Sequence, residues 1–128
     1  MKRNSRKAFT LVEVMIVVMI LAILLTIAVP NFIKSRQAGR VQTVVGNLKQ
    51  IESAKEQWAI ENGKATSEIP ASADLVPHYI NRWPLGPVGS GADYAANDMA
   101  SRSTFKGHDL DDFQDPATRD AAVAACGL

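Results

Sequence analysis

The residue types that could support catalysis are sparse in this sequence and are not spaced for it. The two histidines, His78 and His108, lie far apart and have no cysteine or glutamate at the spacing of a zinc site. No Ser-His-Asp arrangement is present, and the glycines at 86–91 lack the Lys-Ser/Thr that completes a phosphate loop. We therefore interpret both histidines as structural or exposed, and we predict that the protein is not an enzyme.

An acidic cluster and a single cysteine are the remaining candidates for ligand chemistry. The cluster consists of Asp109, Asp111, Asp112 and Asp115. It departs from the EF-hand pattern, because Phe113 occupies a ligand position and no loop glycine follows. We interpret it as a solvated acidic loop, with a calcium site as the alternative, and predict no other cofactor.

Cys126 is the only cysteine, so no disulfide can form within the chain. It is either a small apolar residue near the end of the sequence or a thiol that reacts or bridges to another chain.

The charged residue in the least expected place is Glu13. Between Phe9 and Val29 only Thr10, Glu13 and Thr26 are not apolar. As a helix this run would be about 31 Å long at about 1.5 Å per residue, which matches a hydrocarbon core of about 30 Å. The run therefore predicts a membrane-spanning helix.

The charges around the run predict its orientation. All four charged residues before it are basic. They are Lys2, Arg3, Arg6 and Lys7. The positive-inside rule then places the N-terminus in the cytoplasm and the chain after Pro30 outside the membrane. The acidic residues all come later. A basic N-terminal segment followed by a mildly acidic chain does not indicate nucleic-acid binding.

Two interpretations of Glu13 stay open on the sequence alone. A carboxylate inside a membrane costs roughly 2.5–3.5 kcal/mol on insertion scales and usually marks function. However, the segment from Thr10 to Glu13 also has the form of a capping box, in which the acid would sit in the first helical turn.

A cleaved secretory signal is the competing explanation for the run. The run exceeds the usual apolar core of about 7–15 residues. No clean Ala-x-Ala site follows it, and helical periodicity continues beyond it. All three features favour a helix that stays on the protein.

The segment Lys7-Ala8-Phe9-Thr10-Leu11-Val12-Glu13 resembles the leader and cleavage motif of type IV pilins and type II secretion pseudopilins. The family pattern is a short basic leader, a small residue, and then Phe-Thr-Leu, an aliphatic residue and Glu, opening a long apolar helix. The resemblance implies that prepilin peptidase cleaves between Ala8 and Phe9 and methylates the new Phe9 amine. It also implies that Phe9, Glu13 and Pro30 serve assembly, with Glu13 pairing with the N-terminal amine of a neighbouring subunit. Ala8 departs from the family, which usually has Gly before the cut.

An amphipathic helix is predicted beyond Pro30. Apolar residues form one stripe, opposite a polar face. The stripe consists of Val41, Val44, Leu48, Ile51 and Trp58. The helix is predicted to run from Thr10 to Glu61 with a break at Pro30, where a backbone N–H is missing, and to stop at Asn62-Gly63.

The region after the helix is predicted to be small and loop-rich. We expect a helical turn at 71–76 capped by Ser67 or Ser72, strands at 92–99 and 103–110, and a terminal helix within 115–128. Five residues are predicted to pack the loop onto the long helix: His78, Tyr79, Ile80, Trp83 and Leu85. The fold class is α+β, a long N-terminal helix packed against a small C-terminal region with a short antiparallel β-hairpin.

The predicted organisation is a leader at 1–8, a transmembrane and filament-core helix at 9–29, its amphipathic continuation at 30–62, and a periplasmic region at 63–128. The predicted function is a structural subunit that polymerises into a type II secretion pseudopilus or a type IV pilus. Its partners would be identical or related subunits, prepilin peptidase, the inner-membrane assembly platform and the membrane. The alternative is a signal-anchored or secreted periplasmic binding domain with no filament role.

Overall fold

The computed structural model describes residues 8–88 and 91–128, and these residues form two compact units. The first unit is Met1–Arg36 and the second is Gln37–Leu128. The basic residues of the predicted leader lie outside the described residues. The architecture is α+β, as predicted, with a long N-terminal helix and one small two-stranded sheet among the described residues.

Helix α1 covers Leu11–Asn62, within one residue of the predicted bounds. It contributes its first half to the first unit and its second half to the second. The predicted break at Pro30 is wrong, because the helix does not unwind there. A proline removes one hydrogen bond of the helical ladder, and the intact turns on both sides keep the surrounding residues helical.

The first unit has no core of its own among its described residues. Every large apolar side chain from Leu11 to Ile33 is exposed, and the fractions lie between 48% at Val29 and 76% at Leu11. A stretch of this helix is long and apolar enough to cross a membrane, and none of that stretch is buried within the chain.

The second unit is built on the predicted apolar stripe. Val41, Val44, Leu48, Ile51 and Trp58 are all buried, as predicted for packing against a C-terminal region. The remaining core residues come from the segments that follow the helix. They include Leu75, Ile80, Tyr94, Phe105, Phe113, Val123 and Cys126.

The loop after α1 folds onto this core through fewer residues than predicted. Ile80 is buried, and Tyr79 and Trp83 are partly buried against the core. His78 and Leu85 are exposed, contrary to the prediction.

Helix α2, Ser72–Leu75, lies within the predicted turn. Neither predicted serine caps it. Ala71 is the N-cap residue, and its N–H donates to the Asp74 carboxylate (2.9 Å).

The β-hairpin exists but is shorter than predicted. Strands β1, Tyr94–Ala95, and β2, Thr104–Phe105, pair antiparallel with Tyr94 opposite Phe105. A 3₁₀ turn at Gly91–Asp93 precedes β1. The strands stop early because Asn97 (φ 55°) and Lys106 (φ 50°) adopt left-handed backbone that cannot extend a strand.

Two short helices complete the chain. Helix α3, Leu110–Gln114, replaces the end of the predicted second strand and the predicted acidic loop. Helix α4, Arg119–Cys126, is the predicted terminal helix. Gly127 ends α4 in the left-handed conformation (φ 70°), which glycine adopts without a steric penalty.

Candidate functional site

The predicted processing site precedes helix α1. Ala8 and Phe9 lie outside the helix and are exposed, with Phe9 81% accessible. Thr10 starts the helix, because its hydroxyl oxygen accepts a hydrogen bond from the Glu13 N–H (3.2 Å) and its carbonyl accepts one from the Val14 N–H (3.3 Å). The bond between Ala8 and Phe9 is thus accessible and carries no helical constraint.

Glu13 lies in the first turn of α1 and is exposed. Only half of the predicted capping box forms, because the Thr10 side chain caps the helix while the Glu13 carboxylate does not reach back. Within residues 8–88 and 91–128, this carboxylate makes no hydrogen bond or ion pair. The helix dipole favours a negative charge at this end, but the carboxylate remains open to a partner from outside the described chain.

The three predicted assembly residues occupy different parts of the first unit. Phe9 and Glu13 border the same shallow hollow on the helix surface, together with Val14 and Val17. Pro30 lies further along α1, about 25 Å from Glu13 at about 1.5 Å per residue. The structure therefore brings Phe9 and Glu13 together and leaves Pro30 apart.

The apolar surface of the first unit is what most requires an explanation. Burial of one large aliphatic side chain is worth about 1.5–3 kcal/mol, and this helix exposes such residues on all sides. An isolated helix of this kind is unfavourable in water, whereas a bilayer or a bundle of similar helices would cover it.

The four aspartates considered for calcium lie around helix α3, and each is used locally. Asp109 caps α3 by accepting from the N–H groups of Asp111 (2.9 Å) and Asp112 (3.0 Å). Asp111 pairs with the Arg102 guanidinium (2.8 Å), and Asp115 accepts from a backbone N–H two residues on (2.9 Å). Across the part of the chain that the structure describes, no three His, Cys, Asp or Glu side chains form a group that could hold a metal ion.

Sequence reasoning missed a charged cluster in the core of the second unit. Lys55 is completely buried, and its ammonium donates to the carbonyl oxygens of Ala96 (3.2 Å), Asp98 (3.0 Å) and Ser101 (2.7 Å). Its counter-ion is Glu52, one turn earlier on α1 (3.0 Å). We call Lys55, Glu52 and the residues they bind in 96–103 the Lys55 cluster.

Within the Lys55 cluster, Glu52 binds Ser103, the residue that precedes β2. One of its carboxylate oxygens accepts from both the N–H (3.0 Å) and the hydroxyl (2.8 Å) of Ser103. Burial raises the pKa of this carboxyl, but the two bonds from Ser103 and the Lys55 ammonium outweigh burial, so its pKa lies below the usual value. The Glu52 side chain is only one-third exposed.

A signal for the Lys55 cluster was present in the sequence. The apolar stripe recurs every three or four residues up to Ile51 and then skips to Trp58, so position 55 is on the buried face. A lysine on that face must find acceptors, because burying an unpaired charge is costly. The stripe did not indicate which carbonyl groups would supply them.

Cys126 lies in the core at the end of α4 and is only 1% exposed. Its thiol points at the Phe105 carbonyl oxygen (3.8 Å), and burial raises its pKa. Of the two interpretations of this residue, the structure favours the small apolar one, since a bridge to another chain would require α4 to open.

Comparison with known proteins gives matches at both the motif and the chain level. Residues 3–29 match the prokaryotic N-terminal methylation motif. The chain is 32% identical to type II secretion system core protein G of Klebsiella michiganensis, over 70% of this chain and 72% of that protein. It is 27% identical to the protein of the same name from Pseudomonas aeruginosa, over 75% and 78%. It is also 32% identical to competence protein ComGC of Streptococcus pneumoniae, over 58% and 68%. No solved structure matches the chain significantly.

Proposed function

Since the chain belongs to the type IV pilin and pseudopilin family, we propose that it is a filament subunit made as a precursor. Prepilin peptidase cleaves between Ala8 and Phe9 and methylates the Phe9 amine. The processed subunit then polymerises with identical or related subunits. The filament is a type II secretion pseudopilus, as the name of the relatives in Klebsiella and Pseudomonas suggests, with a type IV pilus as the second candidate.

One observation carries this proposal: the first unit exposes an apolar helix that nothing in the described chain covers. Before assembly the inner membrane covers it, and after assembly the helices of neighbouring subunits do. Removing the basic leader frees the helix from its cytoplasmic anchor without removing the span itself. The second unit has its own core and does not depend on either environment.

Glu13 gives the helix bundle its register. In an apolar filament core its carboxylate needs a positive partner, and the Phe9 amine of a neighbouring subunit supplies one. A subunit placed one turn too high or too low would leave the charge unpaired. The exposed position of Glu13 and its lack of a partner in residues 8–88 and 91–128 support this role.

The orientation follows from the charges of the precursor. Four basic residues and no acid precede the span, so the leader stays in the cytoplasm and the second unit lies in the periplasm. The inner-membrane assembly platform would then take subunits directly from the bilayer.

Intact mass measurement tests the processing step. We expect the protein from cells with prepilin peptidase to begin at Phe9 with one added methyl group, and the protein from cells without it to keep Met1. A product that begins near Val29 in both strains would instead identify a cleaved signal and support the periplasmic binding domain.

Substitution of Glu13 tests the assembly step. Glu13→Ala and Glu13→Gln should insert and be cleaved normally but form few filaments, because both lack the charge that pairs with the neighbouring amine. Thr10→Ala is the matched control, since it removes the helix cap but keeps the carboxylate. Normal filaments from Glu13→Ala, counted by electron microscopy, would contradict the pairing role.

A further inference from the structure

The first unit carries two positive charges just beyond its apolar span, and they have no partner in the described chain. Lys34 and Arg36 are exposed and make no ion pair within residues 8–88 and 91–128. No acidic residue lies between Glu13 and Glu52 in the sequence, so the surrounding helix offers no counter-ion. We refer to Lys34 and Arg36 as the basic pair.

If the apolar run fills the hydrocarbon core, the backbone of the basic pair lies at the outer edge of the lipid headgroups and just beyond it. Along a helix, Lys34 is about 8 Å and Arg36 about 10 Å beyond Val29. The headgroup region adds about 5–8 Å on each side of the core. Long basic side chains extend along the helix toward the phosphate level while their stems remain on apolar surface, and the exposed Phe32 and Ile33 supply that surface.

Positive charge at this position works against the orientation of the span. The positive-inside rule disfavours basic residues on the periplasmic side, and the basic pair reduces the bias that the leader provides. An attractive contact on that side of the membrane would offset this disadvantage. Guanidinium and ammonium groups bind phosphate oxygens through charge-assisted hydrogen bonds.

We propose that the basic pair binds the phosphate of anionic phospholipids in the periplasmic leaflet while the subunit waits in the membrane. The inference rests on the proposed function, because it requires the apolar helix to span the bilayer. The bound lipid neutralises the pair and holds the end of the span at a fixed depth. The contact must be released when the subunit enters a filament, so the lipid stabilises the reserve of unassembled subunits.

Lipid selectivity in a bilayer measures this contact. The protein, purified from membranes and checked by intact mass, is placed in phosphatidylcholine bilayers with a trace of spin-labelled phosphatidylglycerol or phosphatidylcholine. The motionally restricted fraction of each label gives its relative association with the protein. We expect phosphatidylglycerol to associate of the order of fivefold more strongly for each basic residue engaged, and the preference to weaken in 1 M salt.

The variants separate the basic pair from other positive charges. Lys34→Gln/Arg36→Gln should reduce the preference by at least fivefold. Lys49→Gln, which removes an exposed charge from the part of α1 in the second unit, should leave it unchanged. Because each variant is compared with its parent, basic residues of an uncleaved leader do not affect the result.

The possible failures are distinguishable. Protein that alkaline carbonate washes from membranes would contradict the membrane span and with it the proposed function. Protein that stays embedded but binds both lipids equally, or keeps its preference in the double variant, would overturn only the lipid site. If the double variant instead loses filaments without any change in lipid selectivity, the basic pair contacts a second subunit and the proposal is wrong.

Discussion

Removing the Lys55 ammonium should weaken the second unit more than any surface charge change. Lys55→Met keeps an unbranched apolar side chain of similar size and removes the ammonium, with both its charge and its N–H donors. The carbonyl oxygens of Ala96, Asp98 and Ser101 then lose a shared donor, and Glu52 loses its cation. The connection between β1 and β2 would lose these three hydrogen bonds to α1 and keep the two that join Ser103 to Glu52.

The magnitude follows from burial. Loss of one member of a buried pair typically costs about 3–5 kcal/mol. The actual cost should be smaller here, because Glu52 is 33% exposed and keeps both bonds from Ser103. Methionine also avoids the desolvation of an ammonium. We expect a loss of about 2–4 kcal/mol, equivalent to a fall in Tm of roughly 10–30 °C for a unit of this size.

Urea unfolding followed by tryptophan fluorescence measures this loss. The full chain is held in mild detergent, which covers the apolar helix. Both tryptophans, Trp58 and Trp83, belong to the second unit, so the signal reports on that unit alone. Lys55→Met should lower the urea midpoint with little change in slope.

Two further variants make the measurement decisive. Arg102→Gln is the control, because it removes an exposed pair with Asp111 next to the same loop and should cost at most about 1 kcal/mol. Lys55→Met combined with Glu52→Gln should cost less than the sum of the single changes, since both remove the same ion pair. A cost of Lys55→Met no greater than that of Arg102→Gln, or strict additivity in the double variant, would contradict a stabilising role of the buried ion pair.

Three other outcomes are expected from the same unit. The pKa of Glu52 is lower in the folded protein than its ordinary value of 4.5, so the ionised carboxylate stabilises the folded state fully above pH 4.5. This stabilisation is lost as the pH falls through the folded pKa. The urea midpoint should therefore drop in acid, and it should drop less steeply for Glu52→Gln. Cys126 should resist a thiol reagent at mildly alkaline pH until urea unfolds the chain, because burial hides the thiol and raises its pKa; fast labelling of folded protein would contradict this. Asp109→Ala should cost about 0.5–2 kcal/mol in urea through loss of the α3 cap, whereas Asp109→Asn, which can still cap, should cost little.

The long helix could be predicted because its causes are local. The apolar run from Phe9, the stripe from Val41 to Trp58 and the stop at Asn62-Gly63 all act through neighbouring residues, and the bounds agree within one residue. Pro30 is the exception. Its own geometry predicts a break, but the intact helical turns on both sides override it.

The C-terminal region could be predicted only in outline. The hairpin exists, but Asn97 and Lys106 end its strands early. Asparagine tolerates left-handed backbone without requiring it, and lysine adopts it rarely, so neither residue type predicts where the strands end. The aspartates from 109 to 115 formed no metal-binding group in the described chain, because helix capping and contacts with Arg102 and His108 engage their oxygens. Whether an acidic cluster caps a helix or surrounds a cation depends on the path of the backbone.

The sequence by itself determined that this protein has an apolar span behind a basic tip, because composition and helical periodicity act over a few residues. It also determined the motif that places the chain in its family. Only the tertiary structure determined which groups are bound by the charged side chains that follow the span. Lys55 reaches carbonyl groups more than 40 positions away, and Glu52 reaches Ser103. Such contacts form only after the chain has reversed direction, and no local sequence pattern specifies those reversals. Once the fold buries a charged group, the group must find partners, because an unpaired buried charge is costly.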